Sequence, residues 1–152
     1  MKRIQFTQDI NAPAEKVFRT MLGLENIKTY EHWTAAFNPT STYEGSWDKG
    51  AKIYFVGTGE DGKRGGMVSE IADYIPNRFV SIRHYGMLEG DTEITEGAEV
   101  EQWAGGLENY AFAEKDGVTT LTIELDVTED HIDYFNTTWP EALNKLRALA
   151  EN

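Results

Sequence analysis

The last 25 residues of the chain, 128–152, have the apolar spacing of one amphipathic helix, and every strand signal lies before them. Large apolar side chains recur there at steps of three and four residues, which places them on one face of a helix. They are Ile132, Phe135, Trp139, Leu143, Leu146 and Leu149. A helix with one apolar face needs a partner surface, so we expect the preceding strands to form a sheet that packs against it.

The start of this helix and its internal proline carry further local signals. Thr128 is a favoured N-cap residue, and the two residues after it are acidic, as the dipole at a helix start favours. Pro140 removes one helical hydrogen bond, so we expect a kink at this point. Because Thr138–Glu141 also matches a capping box, a helix broken here is the alternative.

Antiparallel strands are indicated along most of the remaining chain. Strand patterns occupy residues 2–10, 43–46, 52–57, 67–75 and 78–87, followed by a final hairpin. After the first strand, Pro13 opens a short helix with one apolar face, and Gly23 ends it. Residues 24–33 predict a second short helix or turn.

The hairpin of residues 67–75 and 78–87 turns at Pro76-Asn77, and treating these two residues as the loop fixes its register. The facing pairs are then Ser69 and His84, Ile71 and Ile82, Asp73 and Val80 and, on the opposite face, Glu70 and Arg83. Opposite charges across a ladder stabilise it mildly, which supports this register. It points His84 inward, either as a buried structural histidine or as a ligand contact.

The final hairpin is the strongest strand signal, because Asp116-Gly117 is a favoured two-residue turn. Counting outward from it gives the facing pairs Phe112 with Leu121 and Tyr110 with Ile123. The same count points Glu108 inward, unless a bulge at Gly105-Gly106 turns it outward. A buried carboxylate needs a partner, so Glu108 and His84 together could bind an alcohol or an amine.

Composition bounds the class of protein. A chain of 152 residues is expected to fold as one domain, residues 1–152, and its 4 Trp, 7 Tyr and 7 Phe supply a large apolar core. No apolar run approaches the roughly 18 residues that span a bilayer, and no signal-peptide pattern is present, so we expect a cytoplasmic protein. The net charge of −12 argues against nucleic acid and anionic membranes as partners.

Three other patterns do not predict a site. Residues 88–102 contain six acids and no basic residue, without the spacing of a calcium loop, so we expect a solvated loop that could cover one end of the sheet. Residues 57–62 spell G-x-G-x-x-G but lead into a strand, whereas a nucleotide site needs a helix. His32, His84 and His131 are far apart and cysteine is absent, so no metal and no cofactor is predicted.

Four segments of the chain contain turns, packing positions and a helix pattern that are typical of a known superfamily. They are Ile10–Phe18 (INAPAEKVF), Gly65–Ile82 (GG.VSEI…IPNRFVSI), Glu108–Asp126 (ENYAF…DG.TTLTIELD) and Trp139–Glu151 (WPEALNKLRALAE). Together they resemble the SRPBCC or START-like superfamily, and most closely the bacterial homologues of the activator of heat-shock-protein-90 ATPase. The resemblance implies an α+β helix-grip fold. In it, a curved antiparallel sheet of six to seven strands wraps around a long C-terminal helix, with two short helices after the first strand.

The resemblance also implies a hydrophobic cavity between sheet and helix that holds a lipophilic small molecule. We therefore expect a non-enzymatic binding protein for a hydrophobic or aromatic ligand, with no catalytic residue. The sequence does not predict its oligomeric state. The alternatives are a chaperone-interaction module of the ATPase-activator type, and a small enzyme of the cyclase, dehydratase or hydrolase type. The eukaryotic activator makes much of its chaperone contact through a separate N-terminal domain, which favours the small-molecule role here. The residues expected to contact the ligand are Trp33, Ile82, His84, Trp103, Glu108, Tyr110, Phe112, Leu121, Phe135 and Trp139.

Overall fold

The structure, a computed structural model, describes all residues from Met1 to Asn152. Eight antiparallel strands form one sheet: β1 Lys2–Ile10, β2 Thr42–Gly45, β3 Lys52–Thr58, β4 Arg64–Ile75, β5 Phe79–Glu89, β6 Thr92–Ile94, β7 Gly106–Lys115 and β8 Val118–Val127. The helices are α1 Ala14–Leu22, α2 Ile27–Thr34, the short α3 Ala98–Glu101 and α4 Ile132–Glu151. The strand order is β1-β8-β7-β5-β4-β3-β2, and β6 pairs only with β5.

The predicted α+β helix-grip fold is confirmed, because the curved open sheet carries the long C-terminal helix on its inner face. The number of strands is larger than the expected six to seven, since the acidic stretch contributes β6. None of the four helices combines the length and the apolar composition that a bilayer crossing requires.

Local caps set the bounds of the two short helices after β1. Gly23 ends α1 with a φ of 68°, a left-handed conformation that glycine adopts at little cost. Asn26 caps α2 by accepting a hydrogen bond from the Lys28 amide at 3.0 Å. The Trp33 indole then donates to the Met21 carbonyl at 2.8 Å, which fixes α2 against α1.

The C-terminal helix α4 runs without a break through Pro140, so the alternative of a broken helix is wrong. Pro140 is exposed, and so is Asn136, whose carbonyl loses its helical donor and can accept from water instead. A 3-10 turn, Glu129–His131, precedes the helix. Thr128 is the N-cap residue of this turn, as predicted, but its hydroxyl lies 2.8 Å from Nδ1 of His131 and caps no backbone amide.

The hairpin of β4 and β5 has the predicted register at its centre but not near its turn. The expected pairs Ser69–His84, Glu70–Arg83 and Ile71–Ile82 are present. Asp73, however, faces Ser81 and not Val80, because Ala72 is an extra residue in β4. The loop is also one residue longer than predicted, Pro76–Arg78, and the bulge restores the register that the longer loop shifts.

The acidic stretch, residues 88–102, is more ordered than the predicted solvated loop. It contains β6 and α3, and Val100 within it is only 1% exposed. On the strand side, Glu93 accepts hydrogen bonds from the Tyr54 hydroxyl and from Lys52, which lower the pKa of this carboxyl. The prediction of a plain loop is therefore wrong, because β6 pairs with β5 and Glu93 has partners on β3, while the other five acidic residues are exposed to solvent as expected.

Two halves of the molecule differ in how they cover the inner face of the sheet. In the closed half, α1 and residues 142–150 of α4 pack directly on the strands. Its side chains include Phe18, Ile71, Ile82, Leu121 and Leu146, each at most 1% exposed. In the open half, α2 and residues 132–139 of α4 lie over the sheet and leave a space beneath them.

Candidate functional site

A cleft of about 580 Å³ occupies the open half, between the sheet and helices α2 and α4. Its walls come from α2, β3, β4, β5, β7, the end of β8 and the first two turns of α4. Small-molecule sites in proteins usually enclose roughly 300–1,000 Å³ and are mostly apolar. The cleft therefore has the size and position of a ligand site.

Aromatic rings around Trp139 form the helix side of the cleft. Trp139 is 3% exposed, and its ring centroid lies 5.1 Å from that of Phe37, 5.6 Å from Trp33 and 6.2 Å from Tyr110. These rings meet at steep or tilted angles, a geometry that aromatic pairs prefer. The result is an apolar wall whose rings hold one another in place.

Polar side chains form a connected row on the sheet side of the cleft. Nε2 of His84 lies 3.0 Å from Oε1 of Glu108, and the Tyr110 hydroxyl donates to Oε2 of the same carboxylate. Nδ1 of His84 lies 2.6 Å from the hydroxyl of Ser69, which is fully buried. Because a carboxylate only accepts, Nε2 of His84 donates in its contact with Glu108, and the Ser69 hydroxyl is the partner of Nδ1.

Strand register explains why these groups meet. His84 faces Ser69 across β4 and β5, whereas Glu108 faces Ile82 of β5 and Leu125 of β8. Tyr110 follows Glu108 by two residues and so projects to the same face. No bulge interrupts the pairing of β7 with β8, so the alternative of an outward Glu108 is wrong.

The buried tyrosines of the cleft remain protonated at neutral pH. Burial raises the pKa of Tyr110 well above its usual value, and the Glu108 carboxylate raises it further. The pKa of Tyr30 is raised by the same two causes in the same order. Tyr30 is 6% exposed and lines the cleft, and its hydroxyl makes no hydrogen bond within the protein.

At the mouth of the cleft, the Asp126 carboxylate is paired on the outer face of the sheet, because its neighbours Leu125 and Val127 point inward. Asp126 accepts a hydrogen bond from Arg3 at 3.0 Å and another from the Leu107 amide at 3.0 Å. The hydrogen bond from Arg3 is the main reason that the pKa of Asp126 lies below its usual value. Glu99 and His131 are the other ionisable groups at the mouth, and no Lys or Arg side chain lines the cleft.

Comparison with known proteins places the chain in a family. The family model described as "Activator of Hsp90 ATPase homolog 1-like protein" matches residues 11–151. The chain belongs to this family. No curated protein sequence matches it.

Solved structures share the fold of this family member. It is similar to the Aha1 dimer from Colwellia psychrerythraea, with 21% identity, a TM-score of 0.67 and coverage of 99% of this chain and 97% of that one. Protein NE0264 from Nitrosomonas europaea is 14% identical with a TM-score of 0.71, over 97% and 92% of the two chains. Protein Ms6760 from Mycobacterium smegmatis is 17% identical with a TM-score of 0.67, over 97% and 89%. These similarities show the fold alone.

The ten residues that the sequence predicts to contact the ligand lie in both halves of the structure. Seven of the ten line the cleft: Trp33, His84, Trp103, Glu108, Tyr110, Phe135 and Trp139. The other three, Ile82, Phe112 and Leu121, are at most 5% exposed and lie outside it. Phe112 instead contacts Phe18 of α1, with ring centroids 5.2 Å apart. Ligand contact by the seven stays a prediction.

Several lining residues were not predicted. They include Tyr30, Phe37, Phe55, Met67, Met87, Leu125 and Val127. The alternation that points Leu121 inward along β8 also points Leu125 and Val127 inward, so the inward orientation of these two residues could have been predicted from the sequence. Tyr30 and Phe37 had no such signal, because the tilt of α2 over the sheet is set by tertiary packing.

The polar side chains of the cleft are restricted in the reactions they could perform, because most of them already contact one another. Ser69 is fully buried, so its hydroxyl orients His84 and does not reach the cleft. No group of three or more His, Cys, Asp or Glu side chains is brought together in a way that suits a metal ion. Residues 57–62, the G-x-G-x-x-G segment, lie across the end of β3 and its hairpin loop, with no helix start beside them. The row can therefore orient a polar ligand group through Glu108, whose carboxylate is held in place by His84 and Tyr110.

Proposed function

We propose that this protein binds a lipophilic aromatic small molecule in the cleft and releases it unchanged. The observation that carries the proposal is an aromatic cleft whose sheet side presents a few connected polar groups. Apolar walls bury the body of a ligand, and a small number of polar groups fix its orientation. Family membership is compatible with a ligand-binding role, although fold alone does not determine function.

The hydrogen bonds of the polar row support binding over catalysis. Nε2 of His84 is engaged by Glu108, and Nδ1 by Ser69, so neither ring nitrogen is free to take a proton from a ligand. Each oxygen of Glu108 accepts one hydrogen bond, from His84 or from Tyr110, and these two contacts hold the carboxylate in place. A row whose members stabilise one another suits an orienting role, because a rigid polar group discriminates between ligands.

A blocking variant tests this proposal with the neutral fluorescent probe phenylnaphthylamine. Met67→Trp adds bulk at a residue that lines the cleft, and Thr7→Trp adds the same ring to an exposed position of β1. We expect wild type and Thr7→Trp to bind one probe molecule with blue-shifted, enhanced emission. Met67→Trp should show little enhancement while its circular dichroism spectrum stays that of wild type.

Thermal unfolding gives an independent readout of the same binding. A ligand at about 100 times its Kd stabilises the folded state by about 2.7 kcal/mol, which raises the Tm by several degrees. Wild type should show this shift and Met67→Trp should not. Equal probe binding by the blocked variant, or no binding by wild type, would contradict the proposal.

A second candidate function is contact with a chaperone of the Hsp90 class. The matched family description and the Colwellia psychrerythraea Aha1 structure favour it. Such contact would use the outer surface and would not need the cleft. Binding to purified Hsp90 and stimulation of its ATPase, equal for wild type and Met67→Trp, would support this function. No binding at micromolar concentrations would exclude it.

A further inference from the structure

We infer that the ligand carries a protonated amine on its aromatic body, and that Glu108 receives this amine. The inference rests on the proposed function and names the class of ligand for the same cleft. It contrasts with a fatty-acid or other carboxylate ligand, which a hydrophobic cleft alone would also accept. Four features of the open half support it.

The first feature is the spare acceptor capacity of Glu108. A carboxylate has about four acceptor positions, and the structure uses two of them, for His84 and Tyr110. The side chain is 22% exposed, so the carboxylate is not sealed off from the cleft. Hydrogen bonds that involve a charged donor and a charged acceptor are shorter and stronger than neutral ones, so an ammonium group suits this position best.

The second feature is the sign of the ionisable groups around the cleft. The acidic side chains that face it are those of Glu99 and Glu108, together with two histidines, and no Lys or Arg lines it. Arg3 neutralises Asp126 in part, but nothing of fixed positive charge faces Glu108. An anionic ligand would therefore enter a cleft that lacks a fixed cation to pair with it, in a protein whose net charge is −12.

The third feature is the group of aromatic side chains that lines the cleft together with the Glu108 carboxylate. Trp33, Tyr110 and Trp139 contact one another at centroid distances of 5.6–6.5 Å, and Phe55 lies 6.0 Å from the ring of His84. Aromatic rings attract a nearby cation through their quadrupole, most strongly when water is excluded. The same rings that bury the body of the ligand thus also favour a positive charge at its end.

The fourth feature is the free hydroxyl of Tyr30. It lines the cleft from α2, is 6% exposed and lacks a hydrogen-bond partner within the protein. The hydroxyl oxygen is reached by solvent from the cleft, so a ligand group can replace water as its hydrogen-bond partner. An ammonium group has three N–H bonds and so has donors for this oxygen as well as for Glu108, whose charge acts on Tyr30.

Matched probes test the charge preference directly. Naphthylethylamine, naphthylethanol and naphthylpropanoate have the same ring system and end in a cation, a neutral group and an anion at about pH 7. Isothermal titration calorimetry of wild type with each gives three Kd values at fixed ionic strength. We expect the amine to bind at least about tenfold more tightly than the alcohol, which corresponds to about 1.4 kcal/mol. The propanoate should bind more weakly than the alcohol.

Charge-matched variants assign the preference to Glu108. Glu108→Gln keeps the shape and removes the charge, while Glu141→Gln makes the same change on the exposed face of α4, outside the cleft. Glu108→Gln should bind amine and alcohol with similar Kd values, and Glu141→Gln should keep the wild-type preference. If Glu108→Gln does not fold, the three Kd values of wild type still decide whether the cleft prefers a protonated amine.

The outcomes separate this inference from the proposed function. Binding of the alcohol with no preference for the amine, or a preference for the propanoate, overturns the inference and leaves the proposed function standing. A preference for the amine that survives Glu108→Gln overturns the role of Glu108. Failure of all three probes to bind wild type contradicts the proposed function and removes the inference with it.

Discussion

The closed and open halves share one sheet and one helix, but they differ in how closely the helices pack on the sheet. In the closed half, Phe18, Leu121 and Leu146 are at most 1% exposed and fill the space between α1, α4 and the strands. In the open half, the same layers are separated by a cleft of about 580 Å³ with polar groups on its sheet side. We therefore expect the closed half to contribute more to the free energy of unfolding than the open half, where the layers are packed less closely around the candidate site.

The difference lies in which side chains alternate inward along the same strands. β7 places Phe112 under α1 but Glu108 and Tyr110 under α2. A polar pair in a close-packed core would be unfavourable, because buried polar groups must find partners. Next to a cleft, the same pair has spare acceptor positions for a ligand. The contrast predicts that equal substitutions in the two halves will have unequal effects.

The largest expected effect is the removal of a ring from the closed half. Phe18→Ala leaves a cavity among fully buried neighbours and should lower the free energy of unfolding by about 3–5 kcal/mol. Phe37→Ala removes the same atoms from a half-buried residue of the open half, where the lost contacts are fewer, and should have a smaller effect. Urea denaturation of both variants measures the difference. Equal losses would remove the distinction between the halves.

An intermediate effect is expected when the polar row is broken. Glu108→Leu leaves Nε2 of His84 and the Tyr110 hydroxyl without their acceptor, which should lower the free energy of unfolding by about 1–3 kcal/mol. Adding His84→Leu removes the imidazole that has lost its acceptor and should restore part of the free energy of unfolding, as seen when both members of a buried pair are replaced. A double-mutant cycle gives the coupling energy. A coupling energy near zero would show that the row is not connected.

The smallest effect concerns acid stability at the mouth of the cleft. The hydrogen bond from Arg3 lowers the pKa of Asp126 below its usual 3.8, so this carboxylate stabilises the fold above that pH. The contribution is lost as the pH falls through the lowered pKa of the folded state. Both partners are partly exposed, so Asp126→Asn should reduce stability at pH 7 by less than about 1 kcal/mol.

Unfolding curves of wild type and Asp126→Asn at a series of pH values test this prediction. The two proteins should differ at pH 7 and converge as the pH falls, because the wild-type carboxylate then becomes neutral. A difference that stays constant down to low pH would point to the Leu107 amide contact, or to packing, in place of the charge.

The fold followed from periodicity to a large extent. The stripe along α4 and the Asp116-Gly117 turn predicted the helix and the register of the last hairpin, and counting from that turn placed Glu108 on the inner face. The Asp73 pairing was wrong because a longer loop and the bulge at Ala72 compensate each other, and neither has a clear sequence signature.

The candidate site followed from sequence only in part. Alternation assigns a residue to a face of the sheet but not to a position under a particular helix. For this reason Phe112 and Leu121, which lie in the closed half, could not be separated from Tyr110, which lines the cleft. The contribution of Tyr30 depends on how α2 docks, which is determined by contacts such as that of Trp33 with Met21.

The most direct test of a ligand site in the open half is the proton–nitrogen NMR spectrum of the four indole N–H groups. Trp103 and Trp139 line the cleft, whereas Trp47 lies outside it and donates to the Leu22 carbonyl at 3.1 Å. On titration with phenylnaphthylamine, we predict saturable shifts of the Trp103 and Trp139 signals and an unchanged Trp47 signal. A shift of Trp47 alone, or four signals that do not move at saturating probe, would contradict it.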